Sequence, residues 1–213
     1  MYVPSSFREE RIGPLQALIQ AHPLGLLITH GISGLQATPL PFQLYPDEGP
    51  YGVLRAHLAR ANPHWRELSD DTECLVMFQG PDAYVTPSWY PGKAVSHRAV
   101  PTWNYIAVEV RGRARAVADP TWLRRQLEDL TRQHEGIRPE PWSMADAPAD
   151  YIAAQLQAIV GIEIPIARIE GKWKLSQNRT ADDRQGVITG LRDRNDPHSH
   201  PVLAEEMQAD PGS

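Results

Sequence analysis

Hydrophobic and polar residues alternate along residues 24–117 in a way that predicts short β-strands. Six segments show this period of two, and clusters of Gly, Pro, Asn and Asp separate them. The predicted strands cover residues 24–30, 35–44, 51–58, 73–80, 83–90 and 105–117. Six strands at short intervals with few helices between them are typical of an antiparallel barrel or sandwich rather than of a doubly wound sheet.

Helical spacing of apolar residues occurs in other parts of the chain. The predicted helices are residues 7–22, 61–68, 120–135 and 148–160. Asn62 is a suitable cap for the short second helix. Residues 161–171 return to strand spacing, and the polar residues 193–213 are expected to form a flexible tail. We therefore predict one mainly β domain with helical additions (α+β) over residues 1–192, with a helical insertion at about 120–160.

The composition excludes several classes of protein. Of the 213 residues, 41% are hydrophobic, which is enough for an ordinary folded core. The 21 Lys and Arg against 26 Asp and Glu give a formal charge of 21 − 26 = −5, which repels nucleic acid and argues against direct DNA binding. A single cysteine, Cys74, allows no internal disulfide and suits a reducing compartment. Because neither a secretory signal nor an apolar run of roughly 18 residues is found, we expect a soluble cytoplasmic protein.

The commonest catalytic motifs are absent from the sequence. It has no phosphate-binding loop, no dinucleotide-binding glycine pattern, no zinc-binding pair of histidines on a helix and no nucleophile elbow. His198 and His200 stand close together, but a solvated tail is a simpler interpretation of them than a metal site. We predict no metal centre, and the catalytic residues stay unknown at this stage.

Basic and polar residues crowd the junction between the third predicted strand and the short helix that follows it. The residues concerned are Arg55, His57, Arg60, Asn62, His64 and Trp65. Free backbone N–H groups and the helix dipole favour an anion at such a junction, and arginine can form two parallel hydrogen bonds to a phosphate. The alternative is that Arg60 and Asn62 only cap and solvate the helix.

Aromatic residues form a second cluster, in which Trp89 and Trp103 lie near strand ends and Asn104 adds a polar amide. Aromatic faces near an anion site suit a flat ring system such as a flavin or a nucleobase. The alternative is ordinary core packing, which is the usual role of aromatic side chains in strands.

A third cluster follows the last predicted strand. Lys174, Ser176 and Gln177 concentrate hydrogen-bonding groups at one end of the predicted sheet. Such groups can bind the carbonyl oxygens and ring nitrogens of a ligand. An exposed basic turn is the alternative for Lys172 and Arg179 in the same segment.

Four segments together resemble the PaiB family of FMN-binding negative transcriptional regulators. They are "MYVPSSF", "HLARANPHW", "FQGPDAYVTPSWY" with "VPTWNY", and "IEGKWKLSQNR" with "GVITGL". The resemblance runs from Met1 to about Leu191 and implies an FMN-binding split β-barrel that forms a homodimer, with FMN held at the subunit interface. Ser6, Ala56 and Glu109 depart from the family pattern, in which His, Gly and His are expected at these places.

The resemblance also implies roles for individual residues. The phosphate of FMN would be held by Arg55, His57, Arg60 and Asn62. The edge of the isoalloxazine ring would lie along backbone groups of Thr38, Pro39, Leu40 and Pro41. The pocket would be completed, in part from the partner subunit, by Trp89, Trp103, Asn104, Lys174, Ser176 and Gln177.

Three functions are open at the level of the sequence. The first is an FMN-binding regulator or sensor of the PaiB type, and the second is a flavin-dependent oxidoreductase of unknown substrate. The third is a split barrel that has lost FMN and acts by protein contact or haem binding. The absence of a helix-turn-helix pattern and the negative net charge favour an indirect regulatory effect over contact with an operator.

Overall fold

Nine strands form one sheet in the computed structural model, which describes residues 1–68 and 73–209. The strands are β1 (Arg8–Glu9), β2 (Leu24–Gly31), β3 (Gly34–Pro41), β4 (Gln43–Tyr45), β5 (Val53–Ala59), β6 (Glu73–Val85), β7 (Thr102–Arg113), β8 (Arg115–Val117) and β9 (Ile159–Lys174). The helices are α1 (Ile12–Ala21), α2 (Lys93–Ser96), α3 (Pro120–Glu135), α4 (Ala149–Gln157), α5 (Ala181–Arg192) and α6 (Pro201–Ala209). Short 3-10 turns occur at Ser5–Phe7, Pro63–Glu67, Pro87–Trp89 and Met144–Asp146.

The chain divides into two compact units. The first unit comprises Met1–Leu15, Gln79–Val108 and the described part of the chain from Glu170 onward. The second unit comprises Glu109–Ile169 together with the described residues between Gln16 and Phe78. Strands β6, β7 and β9 contribute residues to both units.

The sheet has the strand order β3-β2-β6-β7-β9-β5-β4, and β8 pairs with β9 in addition. Its strands show the period of two that the sequence predicts. In β2, Gly25, Leu27 and Thr29 are buried, whereas the residues between them are more exposed. Leu27 lies opposite Val76 of β6 in an antiparallel register, and both side chains are fully buried. This alternation places one face of the strand in the core.

Helix α3 begins where the sequence predicts. The carboxylate of Asp119 accepts hydrogen bonds from the backbone N–H groups of Thr121 and Trp122 at 2.6 and 3.2 Å, and Pro120 occupies the first turn. Buried Leu123 then packs with Ile152 and Leu156 of α4. The helix predicted over residues 120–135 is thus confirmed with the same bounds, and the second helix of the insertion is confirmed over a shorter range.

The first unit contains a helical pair that the sequence interpretation missed. Helix α5 has Thr180 as its cap, and α6 buries Leu203, Ala204 and Met207. The structure therefore differs from the predicted flexible tail at residues 193–213, although the last four of these lie outside the described residues. Apolar residues of α6 are too few to give a clear helical pattern, and their burial depends on packing with α5.

Other element bounds also differ. The first helix begins at Ile12 rather than at residue 7, because a 3-10 turn and strand β1 precede it, and the short helix predicted over residues 61–68 is a 3-10 turn at Pro63–Glu67. The strand predicted over residues 73–80 continues to Val85 as β6, because Gly80 and Pro81 stay extended instead of forming a turn. The end of the strand predicted over residues 83–90 is instead a 3-10 turn at Pro87–Trp89. Among the helices of the described chain, none has the length and apolar character needed to cross a membrane.

Candidate functional site

Arg55 in β5 is enclosed by carboxylates of the second unit. Its Nε donates to Oε2 of Glu163 at 2.7 Å, and its two terminal nitrogens donate to the carboxylate of Glu48 at 3.0 and 2.7 Å. The guanidinium also lies over the ring of Tyr45, 4.2 Å from the centroid. Burial alone would raise the pKa of Glu163, but hydrogen bonds from Arg115 and Arg55 hold that pKa below its usual value. The charge of Arg55 is thus compensated by the carboxylates of Glu163 and Glu48.

His57, two residues further along β5, faces α3. Its Nδ1 donates to Oε1 of Gln126 at 3.0 Å, and burial lowers the pKa of His57, which keeps the ring neutral at pH 7. Asp129, one turn further along α3, accepts a hydrogen bond from the hydroxyl of Tyr45 at 2.9 Å. The polar face of β4 and β5 is therefore covered by a helix that is attached to it through hydrogen bonds.

Arg60 and Asn62 stabilise the turn after β5. Nε and Nη2 of Arg60 donate to the backbone carbonyls of Gln157 and Ile159 at 2.8 and 3.0 Å, which ties this turn to the C-terminal end of α4. The side chain of Asn62 accepts from the backbone N–H of His64 at 3.0 Å, as the sequence predicts for a cap. Assignment of both residues to a cofactor phosphate stays a prediction.

Strand β3 carries the residues predicted to lie along a flavin ring. It is the terminal strand of the sheet order, so one of its backbone edges has no strand partner in the described sheet. Pro39 is exposed and Leu40 is buried, while Thr38 and Pro41 are intermediate. Prolines are suited to such an edge because they lack the N–H group that an inner strand would need.

His64 holds the hydroxyl of Thr38 in place. The two ring nitrogens of His64 lie 2.8 Å from the hydroxyl oxygens of Thr38 and Thr29, and the imidazole is only 1% exposed. Burial lowers the pKa of His64, so that the neutral ring can donate through one nitrogen and accept through the other. The sequence places His64 in the cluster after the third predicted strand but does not assign it to the cofactor site.

In the first unit, Asn104 and Ser176 are bound to each other. Nδ2 of Asn104 donates to the hydroxyl of Ser176 at 3.0 Å, the hydroxyl lies 3.2 Å from Oδ1 of the same amide, and both residues are buried. Ser176 has a positive φ of 63°, which few residues other than Gly adopt and which this contact supports. Gln177 bonds back to the backbone of Leu175 and Trp173, at 2.8 and 2.7 Å. Through these contacts Asn104, Ser176 and Gln177 stabilise the turn after β9.

Lys172 and Lys174 form a cationic pair near the Tyr105 ring. Their ammonium nitrogens lie 5.2 and 5.9 Å from the ring centroid. Lys172 donates to the carbonyl of Tyr2 at 3.1 Å, and Lys174 donates to the hydroxyl of Thr102 at 2.7 Å and to the carbonyl of Trp103. All of these acceptors are neutral, so the partners that the structure gives the pair leave its charge uncompensated.

Electrostatic repulsion acts on this pair. Partial burial is the main reason why the pKa of Lys174 is lowered, and the positive charges of Lys172 and Arg179 lower it further. An anion bound here would offset the repulsion between these positive charges. The sequence-based site includes Lys174 and leaves an exposed turn open for Lys172, whereas the structure buries Lys172 almost completely.

The two predicted aromatic residues differ in environment. Trp103 is 53% exposed and meets the ring of Tyr84 edge-on, with centroids 6.2 Å apart, so it is available to a ligand rather than part of the core. Trp89 donates from Nε1 to Asp196 at 3.1 Å and packs on Gly190, where a Cβ would lie 2.3 Å from the indole. Trp89 thus anchors α5 in the first unit.

Two further expectations concern charge and metals. Glu109, whose orientation the sequence leaves open, is buried and accepts a hydrogen bond from Arg111 at 2.8 Å in the second unit. Arg111 therefore compensates part of its charge. Within residues 1–68 and 73–209, no group of three or more His, Cys, Asp or Glu side chains is placed to hold a metal ion.

Comparison with known proteins gives consistent matches. The model of the family described as "Putative FMN-binding domain" matches residues 1–168. An uncharacterized protein from Emericella nidulans is 37% identical over 228 residues, with 90% of each chain covered. "Protease synthase and sporulation protein PAI 2" from Bacillus subtilis is 32% identical over 208 residues, covering 98% of this chain and 97% of the relative.

A solved structure shares the fold. The FAD and heme binding protein from Mycobacterium smegmatis superposes with a TM-score of 0.59 at 16% identity, covering 84% of this chain and 78% of that one. At this identity the likeness concerns the fold alone. It confirms the predicted fold class, which is a mainly antiparallel sheet with helices on the plan of a flavin-binding split β-barrel.

Proposed function

The chain belongs to the FMN-binding domain family, and on that premise we propose that it is a flavin-dependent regulator or sensor of the PaiB type. FMN is the cofactor that family membership assigns to it. The name of the Bacillus subtilis relative, which refers to protease synthesis and sporulation, supports a role in regulation. The formal charge of −5 argues against operator contact, so the regulatory effect would pass through another protein or a metabolite.

The residues present fit FMN. The observation that carries the proposal is the pair of ammonium groups, Lys172 and Lys174, whose partners are neutral oxygens and the Tyr105 ring. A phosphate carries close to two negative charges at pH 7 and would balance this pair. Half-exposed Trp103, whose carbonyl Lys174 contacts, offers an aromatic face for the flavin ring.

Strand β3 would supply the second part of the site. Its free edge presents backbone N–H and C=O groups, the hydrogen-bonding type that the polar edge of a flavin requires. His64 fixes the Thr38 hydroxyl at this edge. In contrast, Arg55 and His57 are engaged by Glu163, Glu48 and Gln126, so we propose a structural role for both.

We propose a homodimer in which FMN lies between subunits. The lysine pair belongs to the first unit and β3 to the second, and a dimer allows the two groups to come from different chains. The β2–β3 hairpin supports this proposal, because its cross-strand pairs Leu24–Pro41 and Leu26–Pro39 expose apolar side chains on one face. Exposed apolar patches of this kind mark interaction surfaces.

Bound FMN supplies reversible transfer of electrons or hydride, a chemistry that resides mainly in the cofactor. The protein's own residues bind and orient. Lys172 and Lys174 would hold the phosphate, Trp103 would exclude water from one ring face, and His64 would keep the Thr38 hydroxyl in a fixed direction. A sensor needs no more than this, since occupancy or oxidation of the flavin can change the surface presented to a partner.

The test measures flavin directly. Purified protein is mixed with FMN, unbound flavin is removed, and the retained visible absorbance and the dissociation constants of FMN and riboflavin are measured. We expect the wild type to prefer FMN over riboflavin. Lys174→Met should weaken FMN by roughly tenfold to a hundredfold, because a charge-assisted contact of about 1.5–3 kcal/mol is lost, and should leave riboflavin unchanged.

The matched control is Lys93→Met, which removes an exposed lysine of α2 in the same unit. It should bind FMN like the wild type. If the wild type retains no flavin after saturation, the proposal fails and a barrel that acts without FMN replaces it. Retained flavin with rapid NAD(P)H oxidation would instead favour the oxidoreductase.

A further inference from the structure

A cavity of about 380 Å³ lies between α3 and α4 in the second unit. Its volume is near the lower end of the range of small-molecule sites, which is roughly 300–1,000 Å³. The polar wall includes Arg60, Arg124, Thr121 and Gln157, and the apolar wall includes Leu123 and Leu156. None of the described residues that line it is acidic.

Two guanidinium groups give the cavity its charge. Arg60 is held rigidly, because its Nε and Nη2 donate to the carbonyls of Gln157 and Ile159, while its Nη1 has no acceptor in the described part of the chain. Arg124 on the first turns of α3 has no ion-pair or hydrogen-bond partner among the described side chains. Both groups keep donors for an incoming anion, and guanidinium geometry matches a carboxylate or a phosphate.

The apolar wall restricts what can be attached to the anion. Leu123 and Leu156 are already buried in the hydrophobic cluster that joins α3 to α4, so the apolar surface left for a ligand is that of exposed Ala118, Pro120 and Ala153. A ligand body packed on these side chains must be apolar and compact to gain from burial. A strongly hydrated ion without such a body would leave this wall unused.

We infer that this cavity binds a small organic anion, a carboxylate on a compact apolar body, as a ligand separate from the flavin. The anion pairs with Arg60 and Arg124, and the body packs on Ala118, Pro120 and Ala153. Because the ligand contacts both α3 and α4, its binding stabilises the helical insertion that covers the polar face of β4 and β5. The inference does not depend on the lysine pair, which lies in the other unit.

The experiment uses the full chain and two pairs of probes of matched shape. Benzoate and hexanoate are titrated by calorimetry, and benzamide and hexanamide serve as their neutral counterparts. We expect the acids to bind at least tenfold more tightly than the amides. Arg124→Gln should weaken the acids at least tenfold, whereas Arg125→Gln, which removes an exposed neighbouring arginine that does not line the cavity, should leave them unchanged.

The dissociation constant of FMN is measured in the same proteins. It should be the same for the wild type and Arg124→Gln, and benzoate should not release bound FMN. Equal binding of acids and amides, no binding of either acid, or equal affinity in both arginine variants would overturn the inference. Release of FMN by benzoate would also overturn it, because the cavity would then belong to the flavin phosphate site, as the sequence-based role of Arg60 predicts.

Discussion

Arg55 and the Lys172–Lys174 pair are cations in opposite environments. Arg55 lies between Glu48 and Glu163 and is neutralised inside the second unit. The two lysines, in the first unit, have neutral oxygens and aromatic rings as their partners within the described residues, and mutual repulsion contributes to the lowered pKa of Lys174. A positively charged side chain near the end of a strand therefore does not by itself form an anion site. The partners that neutralise the charge, or fail to, decide its role.

The partners also explain why each arrangement persists. Removing Arg55 would leave the buried carboxylate of Glu163 with Arg115 as its remaining charged partner, so the arginine is needed for stability. Repulsion between Lys174 and Lys172 destabilises the protein when no anion is bound. Charges held in an unfavourable environment of this kind are common at functional sites. We therefore expect substitutions in the two regions to separate stability from flavin affinity.

The largest expected effect on stability is that of Arg55→Met. It should lower the free energy of unfolding by about 3 kcal/mol, because a buried carboxylate loses a hydrogen-bonded partner. Urea denaturation measures this loss, with Arg125→Met on the exposed face of α3 as a control. A variant that unfolds like the wild type but binds FMN poorly would show that Arg55 belongs to the flavin site after all.

Asn104→Ala should cost about 2 kcal/mol, because the buried Ser176 hydroxyl loses its amide partner. The same denaturation experiment applies, together with an FMN titration of the folded protein. If stability is unchanged and only FMN binding weakens, Asn104 is a ligand contact, and the first unit contains more of the site than we propose.

A pH dependence of stability should come from His57. Burial lowers its pKa in the folded protein, so the unfolded chain takes up a proton near pH 6.5 before the folded one does. Stability is then complete above this pH and falls as the pH decreases toward the folded pKa. Unfolding measured at pH 7.5 and 5.5 should show a smaller difference in His57→Gln, while His30→Gln, at an exposed position, should behave like the wild type.

The smallest expected effect is that of Trp103→Ala. Its indole is half-exposed and meets Tyr84 only edge-on, so the change should cost no more than about 1 kcal/mol of stability. FMN affinity should fall more than stability does. A loss of about 3–5 kcal/mol in unfolding, as for a buried tryptophan, would contradict the assignment of Trp103 to a ligand surface.

The sequence predicted much of the fold, because strands and capped helices depend on local patterns. Helix α3 was predicted with its bounds since Asp119, Pro120 and the apolar spacing act within a few residues of each other. Helix α6 was missed because its burial depends on contact with α5, which no local pattern reveals. Strand β6 was divided in two because Gly80 and Pro81 usually signal a turn.

For the candidate site, the sequence by itself determined which chemical groups are present and, through the resemblance, the family and the cofactor. Only the tertiary structure decided which of these groups have internal partners. Glu163 is 108 residues from Arg55 along the chain, and Ser176 is 72 residues from Asn104. Charge compensation and hydrogen bonding act over a few ångströms in space, so residues so far apart in sequence acquire their roles only when the sheet brings them together.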